Sequence, residues 1–214
     1  MIANMLLQAN YLSEDIFDGD EATFEKAFAD LKSAFEELKS NSKTLDSTFL
    51  ASDNKDFDMM YKSYKNYHSG KLALRKELPT GMESPKFENY ENFAGGTTSL
   101  SDLKGKYVYI DVWATWCGPC KREIPSLKKV EAKYHDKNIE FVSISVDDAR
   151  RSGSDEKAYE AWRTMVAEKE LGGVQLFSDN AWKSDFIQAY KINGIPRFIL
   201  IDPDGNIVTP DAPR

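Results

Sequence analysis

Two cysteines, and no others, occur in this chain of 214 residues, and they stand as Cys117-Gly118-Pro119-Cys120. Thiols at this spacing suit thiol–disulfide exchange, in which a thiolate attacks a disulfide sulfur and a mixed disulfide forms on the way. A thiol near its free pKa of about 8.5 is a poor nucleophile, but the first backbone N–H groups of a helix carry partial positive charge and favour the thiolate. The pair follows an apolar strand-like run, Tyr107 to Trp113, and precedes a helical pattern, so Cys117 falls at such a helix start. Pro119 lacks an N–H and fits the first helical turn. Cys120, one turn inside, is expected to be shielded and close enough to attack a mixed disulfide formed at Cys117.

Other uses of the pair have less support. Two cysteines cannot build a disulfide framework, and the chain's two histidines, His68 and His135, have no acidic or thiol cluster around them, so no metal site is expected. Lys121 after Cys120 departs from the CxxCH haem-attachment pattern. The remaining non-redox reading is a structural pair.

Asp111 interrupts the apolar strand. In a strand covered on both faces a carboxyl group is costly unless it has a partner or a task. Burial would raise its pKa and allow it to trade protons with Cys120, whereas a hydrogen-bonded structural carboxyl or an edge position would need no such role. Trp113 and Trp116 flank the turn, one expected beneath it and one beside Cys117, where they would exclude water.

These residues must be held by the elements around them. From about residue 84 the texture is mixed. Extended segments and a hairpin around Gly95 and Gly96 come first, and Leu100 to Lys106 makes a short helical turn. Strands are then expected at Tyr107–Trp113, Ile139–Val146, Val174–Phe177, Arg197–Ile201 and Asn206–Val208, with helices at about 118–135, 155–170 and 180–191. Alternation of this kind specifies an α/β domain with helices on both faces of a sheet. Before it, apolar residues follow helical spacing in three segments, Ile2 to Ile16, Phe24 to Leu38 and Phe57 to Leu72, ended by Pro79-Thr80-Gly81. The Tyr and Met stripe there, together with His68, is expected to be core rather than a ligand groove. The expected organisation is an N-terminal helical region, 1–80, and a second domain, 81–214.

Composition narrows the partners. A formal net charge of -7 argues against nucleic acid or an anionic membrane surface as the main partner. No apolar run approaches the roughly 18 residues needed to span a membrane. The start, MIANMLLQANYL, does not read as a signal peptide, since it lacks a basic leading segment and a small-residue cleavage site.

The motif Trp116-Cys-Gly-Pro-Cys120, preceded by Ile110-Asp-Val-Trp-Ala114 and followed by Pro125 and by Gly194-Ile195-Pro196, resembles the thioredoxin superfamily. Ser84-Pro85-Lys86-Phe87, Leu100-x-x-Leu103-x-Gly105-Lys106, Trp113-Ala114-Thr115-Trp116 and Glu123-Ile124-Pro125 extend the resemblance to the TlpA/ResA-like exported thiol-disulfide oxidoreductases, over about residues 84 to 209. The resemblance implies a thioredoxin-like fold, a central mixed β-sheet flanked by helices. It implies catalysis by Cys117 as attacking thiol, Cys120 as resolving thiol and Asp111 as buried acid. Trp116, Gly118, Pro119, Ile195 and Pro196 would form the substrate-binding surface, with Pro196 a cis-proline facing the disulfide and the Ile195 backbone pairing with an extended substrate segment.

Implied also are disulfide-containing protein substrates, an upstream thiol-disulfide electron donor, a periplasmic or envelope location, and no cofactor beyond the redox-active Cys117–Cys120 disulfide. Arg197 stands where thioredoxin has a small hydroxyl residue, which would alter substrate choice or form a surface ion pair; the family's usual last helix has no counterpart before Arg214. Gly-Pro between the cysteines resembles thioredoxin, whose potential is about -270 mV, so a reductant is expected rather than an oxidant near -120 mV. The alternatives are a peroxiredoxin-like thiol peroxidase and a non-catalytic interaction module led by the helical region.

Overall fold

The computed structural model describes residues 14–41 and 47–213. The chain forms two compact units that divide between Lys76 and Glu77.

The first unit is helical. A short 3-10 turn, Glu14–Phe17, precedes helix α1, Glu21–Asn41, and helix α2 runs Ser47–Glu77. Asp20 starts α1 by accepting the backbone N–H of Thr23 on its side chain at 2.8 Å. Phe24, Phe28, Leu31 and Phe35 fall three or four residues apart, share one face of α1 and are buried. They pack with Ile16 and Phe57, and with the half-buried Met60, Tyr61 and Tyr64 of α2. His68 lies flat on Phe24, ring centroids 4.4 Å apart, and its Nε2 is 2.9 Å from the Gly19 carbonyl oxygen. The aromatic stripe and His68 therefore belong to the core of this unit, although Met59 and Tyr67 on the same helix are exposed. Of the first expected helical segment, residues 2–13 lie outside the described residues.

The second unit is built on a seven-stranded mixed sheet. Its strands are β1 Tyr90–Asn92, β2 Thr97–Thr98, β3 Tyr107–Trp113, β4 Ile139–Ser145, β5 Val174–Phe177, β6 Arg197–Ile201 and β7 Ile207–Thr209, in the order β2-β1-β5-β4-β3-β6-β7. Gly95 and Gly96, both at positive φ, turn the β1–β2 hairpin. Strand β3 is an interior strand beside the central β4, parallel to β4 and antiparallel to β6, so its covered position does not depend on an all-parallel sheet. Ile110 and Val112 are fully buried on one face, and Asp111 and Trp113 are buried on the other. The helices are α3 Gly118–Tyr134, the single turn α4 Ala149–Ser152, α5 Asp155–Glu168 and α6 Asp185–Ala189.

One expected element is broken. The helix read over 180–191 is a 3-10 turn, Ala181–Lys183, followed by the short α6. Ser184 between them is extended, φ -54° and ψ 138°, and its buried hydroxyl is hydrogen-bonded to Tyr90 of β1. That tertiary contact overrides the helical periodicity.

Candidate active site

The strand-to-helix turn after β3 is fixed from the neighbouring strand. The Thr115 N–H donates to both oxygens of the Asp147 carboxylate, at 3.2 and 2.9 Å, and the Thr115 hydroxyl donates to Oδ1 at 2.6 Å. Ser145 Oγ donates to the same carboxylate at 2.7 Å. The backbone N–H of Val146 reaches the Trp113 carbonyl at 2.9 Å, so the end of β4 clamps the turn through both main chain and side chain.

Held this way, Cys117 becomes the N-cap of α3, with Gly118 and Pro119 in the first turn. Cys117 and Cys120 are joined in a disulfide, S–S 1.99 Å. Cys117 Sγ accepts the backbone N–H of Cys120 at 3.1 Å. After reduction this N–H and the helix end would stabilise a thiolate on Cys117 rather than on Cys120, which sits inside the helix. Both cysteines are almost fully buried, whereas Gly118 is half-buried and Pro119 exposed.

The Ile195–Pro196 peptide is cis, and the Ile195 carbonyl oxygen stands 3.8 Å from Cys117 Sγ. Ile195 and Pro196 are half-buried. Trp116 packs on Trp182, centroids 6.4 Å apart, with the Arg151 guanidinium 5.0 Å from its ring. Trp113 is buried, as expected of the tryptophan beneath the turn. Arg197, next to the cis-proline, is engaged with the segment just after β7: its Nε is 3.8 Å from the Asp211 carboxylate and it donates to the Pro210 carbonyl at 3.3 Å.

Asp111 and Cys120 line one cavity beneath α3. Asp111 Oδ1 is buried without a hydrogen-bond partner among the described residues. Burial pushes its pKa up to about 8, and the Glu123 carboxylate adds to the rise. The carboxyl therefore keeps its proton at neutral pH and titrates in the range of a cysteine thiol. No group of acidic, thiol and imidazole side chains arranged to hold a metal occurs among the described residues.

Of the eight residues expected at the site, Trp116 to Cys120 form the turn, the Ile195 carbonyl meets Cys117, Pro196 follows through the cis peptide, and Asp111 shares a cavity with Cys120. Asp147 and Glu123 were not expected to matter. In the sequence Glu123 stands out only as part of the Glu123-Ile124-Pro125 motif, and Asp147 sits 32 residues from the threonine it holds.

The Redoxin family profile matches residues 79–212. Among curated relatives, the thiol-disulfide oxidoreductase ResA of Bacillus cereus is 29% identical over 141 residues, covering 66% of this chain and 74% of the relative. ResA of Oceanobacillus iheyensis is 49% identical over 111 residues, covering 52% of each chain. The crystal structure of the thioredoxin domain of a thiol-disulfide oxidoreductase from Bacteroides vulgatus is 31% identical, with a TM-score of 0.52, and the match covers 62% of this chain and 87% of that one.

Proposed function

The chain belongs to the Redoxin family, with TlpA/ResA-like relatives, and from that membership we propose that it is a dithiol reductant of protein disulfides. That it is a thiol-disulfide oxidoreductase follows from the relatives and the cysteine pair; direction, substrate class and residue roles are the proposal. The observation that carries it is Cys117, capping α3 and accepting the Cys120 N–H, with the Ile195 carbonyl opposite.

In the proposed cycle the Cys117 thiolate attacks one sulfur of a substrate disulfide, forming a mixed disulfide and releasing the first substrate thiolate. Asp111 accepts the proton of Cys120 in the ionised fraction that a pKa of about 8 leaves at neutral pH, a fraction that grows as pH rises. The Cys120 thiolate then attacks Cys117 Sγ, the bond from Cys117 to the substrate breaks, and the second substrate thiol leaves. The substrate gains two electrons and the pair becomes the disulfide. An upstream dithiol donor returns the electrons, so the redox group is the cysteine pair itself. Ile195 and Pro196, with Trp116, Gly118 and Pro119, form the surface on which the substrate segment lies.

The proposed setting is the cell envelope, on the resemblance to exported relatives; among the described residues no helix is long and apolar enough to cross a membrane. The helical region, 1–80, is proposed as a module separate from the catalytic domain, 81–214.

Reduction of insulin disulfides, with dithiothreitol as donor, tests the reading. Activity lost in Cys117→Ser supports it. Peroxide consumption without disulfide reduction would replace it with a thiol peroxidase, and absence of both activities with an interaction module.

A further inference from the structure

Register places three polar side chains in line across the middle of the sheet. Asp111 on β3 pairs with Ser143 on β4, and Ser143 pairs with Gln175 on β5. Directly paired positions point to the same face, and neighbouring strands lie about 4.8 Å apart, so the three form one row. Their neighbours along the strands on that face include Tyr109, Trp113 and Phe141, against which a polar row needs an explanation.

Two atoms of the row are orphans: Asp111 Oδ1 and Gln175 Oε1 are both buried without a hydrogen-bond partner among the described residues. The Gln175 amide is fixed, because its Nε2 donates to the Gly172 carbonyl at 2.6 Å. All three row residues line the cavity beneath α3, which also meets Cys120, Lys128 and Glu131. The cavity measures about 40 Å³. A buried water needs about 10–15 Å³ and two or more polar partners, so there is room for a short chain of waters and acceptors to hold it. Glu131, half-buried, lines the same cavity beside Gly172, whose carbonyl holds the Gln175 amide; its pKa is raised by burial and by the Glu140 carboxylate, against the Gly173 N–H and Lys128. Lys128 is anchored to the Lys169 carbonyl at 2.5 Å. The titratable groups around Asp111 are thus Cys120, Glu123, Lys128 and Glu131 from α3 and Tyr109 from its own strand.

We propose that Ser143 and Gln175 are positioning residues that hold cavity water in line between Asp111 and Glu131, so that the proton Asp111 takes from Cys120 leaves to solvent across the sheet. The inference rests on the role given to Asp111 above. In the balance, Cys120 loses a proton to Asp111 as its sulfur bonds to Cys117 Sγ, the substrate thiolate departs with the electron pair, and the Asp111 proton passes along the water to bulk solvent. When an upstream dithiol reduces the pair again, the same route returns a proton.

The test uses the full chain, reduced, and 5,5′-dithiobis(2-nitrobenzoic acid), whose first coloured thiolate is released by Cys117 and whose second is released when Cys120 resolves the adduct. In Gln175→Leu the ratio of second to first release rate at pH 7 should fall about fivefold or more, less than the roughly hundredfold or larger effect of removing an acid–base group itself, and the solvent deuterium isotope effect on the second release should rise. A ratio within about twofold of the parent, with no change in isotope effect, overturns the proposal, as does an equal fall in both rates. If Gln175→Leu does not fold by near-ultraviolet circular dichroism, Ser143→Ala carries the same expectation. Asp111→Asn separates the two claims. If it slows the second release and the row variants do not, only the row fails; if it has no effect, the role of Asp111 fails and the row with it.

Discussion

Thr115 is bound to Asp147 by three donations across 32 residues of sequence, two from its N–H and one from its hydroxyl. The contact ties the residue two before Cys117 to the end of β4. Replacing Asp147 by Ala leaves buried donors of Thr115 and Ser145 unsatisfied, and the expected loss of stability is about 2–4 kcal/mol in denaturant unfolding. Asp147→Asn, which keeps one acceptor, should lose less. Equal stabilities for parent and Asp147→Ala would mean that the contact does not hold the turn.

Asp111 makes stability depend on pH in an unusual direction. Its pKa is about 8 in the folded protein and about 3.9 in an unfolded chain, so between these values the folded state holds a proton that the unfolded state has lost. Stability from this group is complete below about pH 4, declines as pH rises and is gone above about pH 8. Asp111→Asn has no such group, so its advantage in melting temperature over the oxidised parent should grow from pH 5 to pH 9. A difference independent of pH would show that the carboxyl is not held protonated.

The reduction potential follows from how little stabilises a Cys117 thiolate. Among the described residues one backbone N–H, that of Cys120, reaches its sulfur, and no cationic side chain is hydrogen-bonded to it. Equilibration against a glutathione couple should place the pair toward the reducing end, near the value of about -270 mV of thioredoxin-type pairs. A value near about -120 mV would reverse the proposed electron flow.

The helical unit depends on its aromatic core. Phe24 is fully buried between Phe28, at 4.7 Å, and His68, at 4.4 Å. Phe24→Ala should cost that unit about 3–5 kcal/mol and lower helical signal in circular dichroism, with the sheet's near-ultraviolet signal retained. Loss of both signals together would mean that the two units do not unfold separately.

Much of this site was legible in the sequence because its chemistry is local. Cys117 and Cys120 begin and end four consecutive residues of one turn, and Asp111 announces itself by breaking an apolar strand. The rest depends on pairing between strands. Asp147 reads as an ordinary acidic residue at a strand end until β4 is set beside β3, and Gln175 gains meaning only from a register that sequence periodicity does not specify. Periodicity failed at Ser184 for the same reason, since a buried tyrosine hydroxyl from β1 decided the backbone there. The cis peptide before Pro196 was carried by resemblance alone, because such bonds make up only about 5–6% of X-Pro bonds.

The central claim, that Cys117 attacks and Cys120 resolves, is tested most directly by trapping. Full-length protein with Cys120→Ser, reduced and mixed with a disulfide-bonded protein such as insulin, should accumulate a mixed disulfide that mass spectrometry maps to Cys117, while Cys117→Ser should accumulate far less adduct at Cys120. Equal trapping by the two variants, or none by Cys120→Ser, would contradict the account.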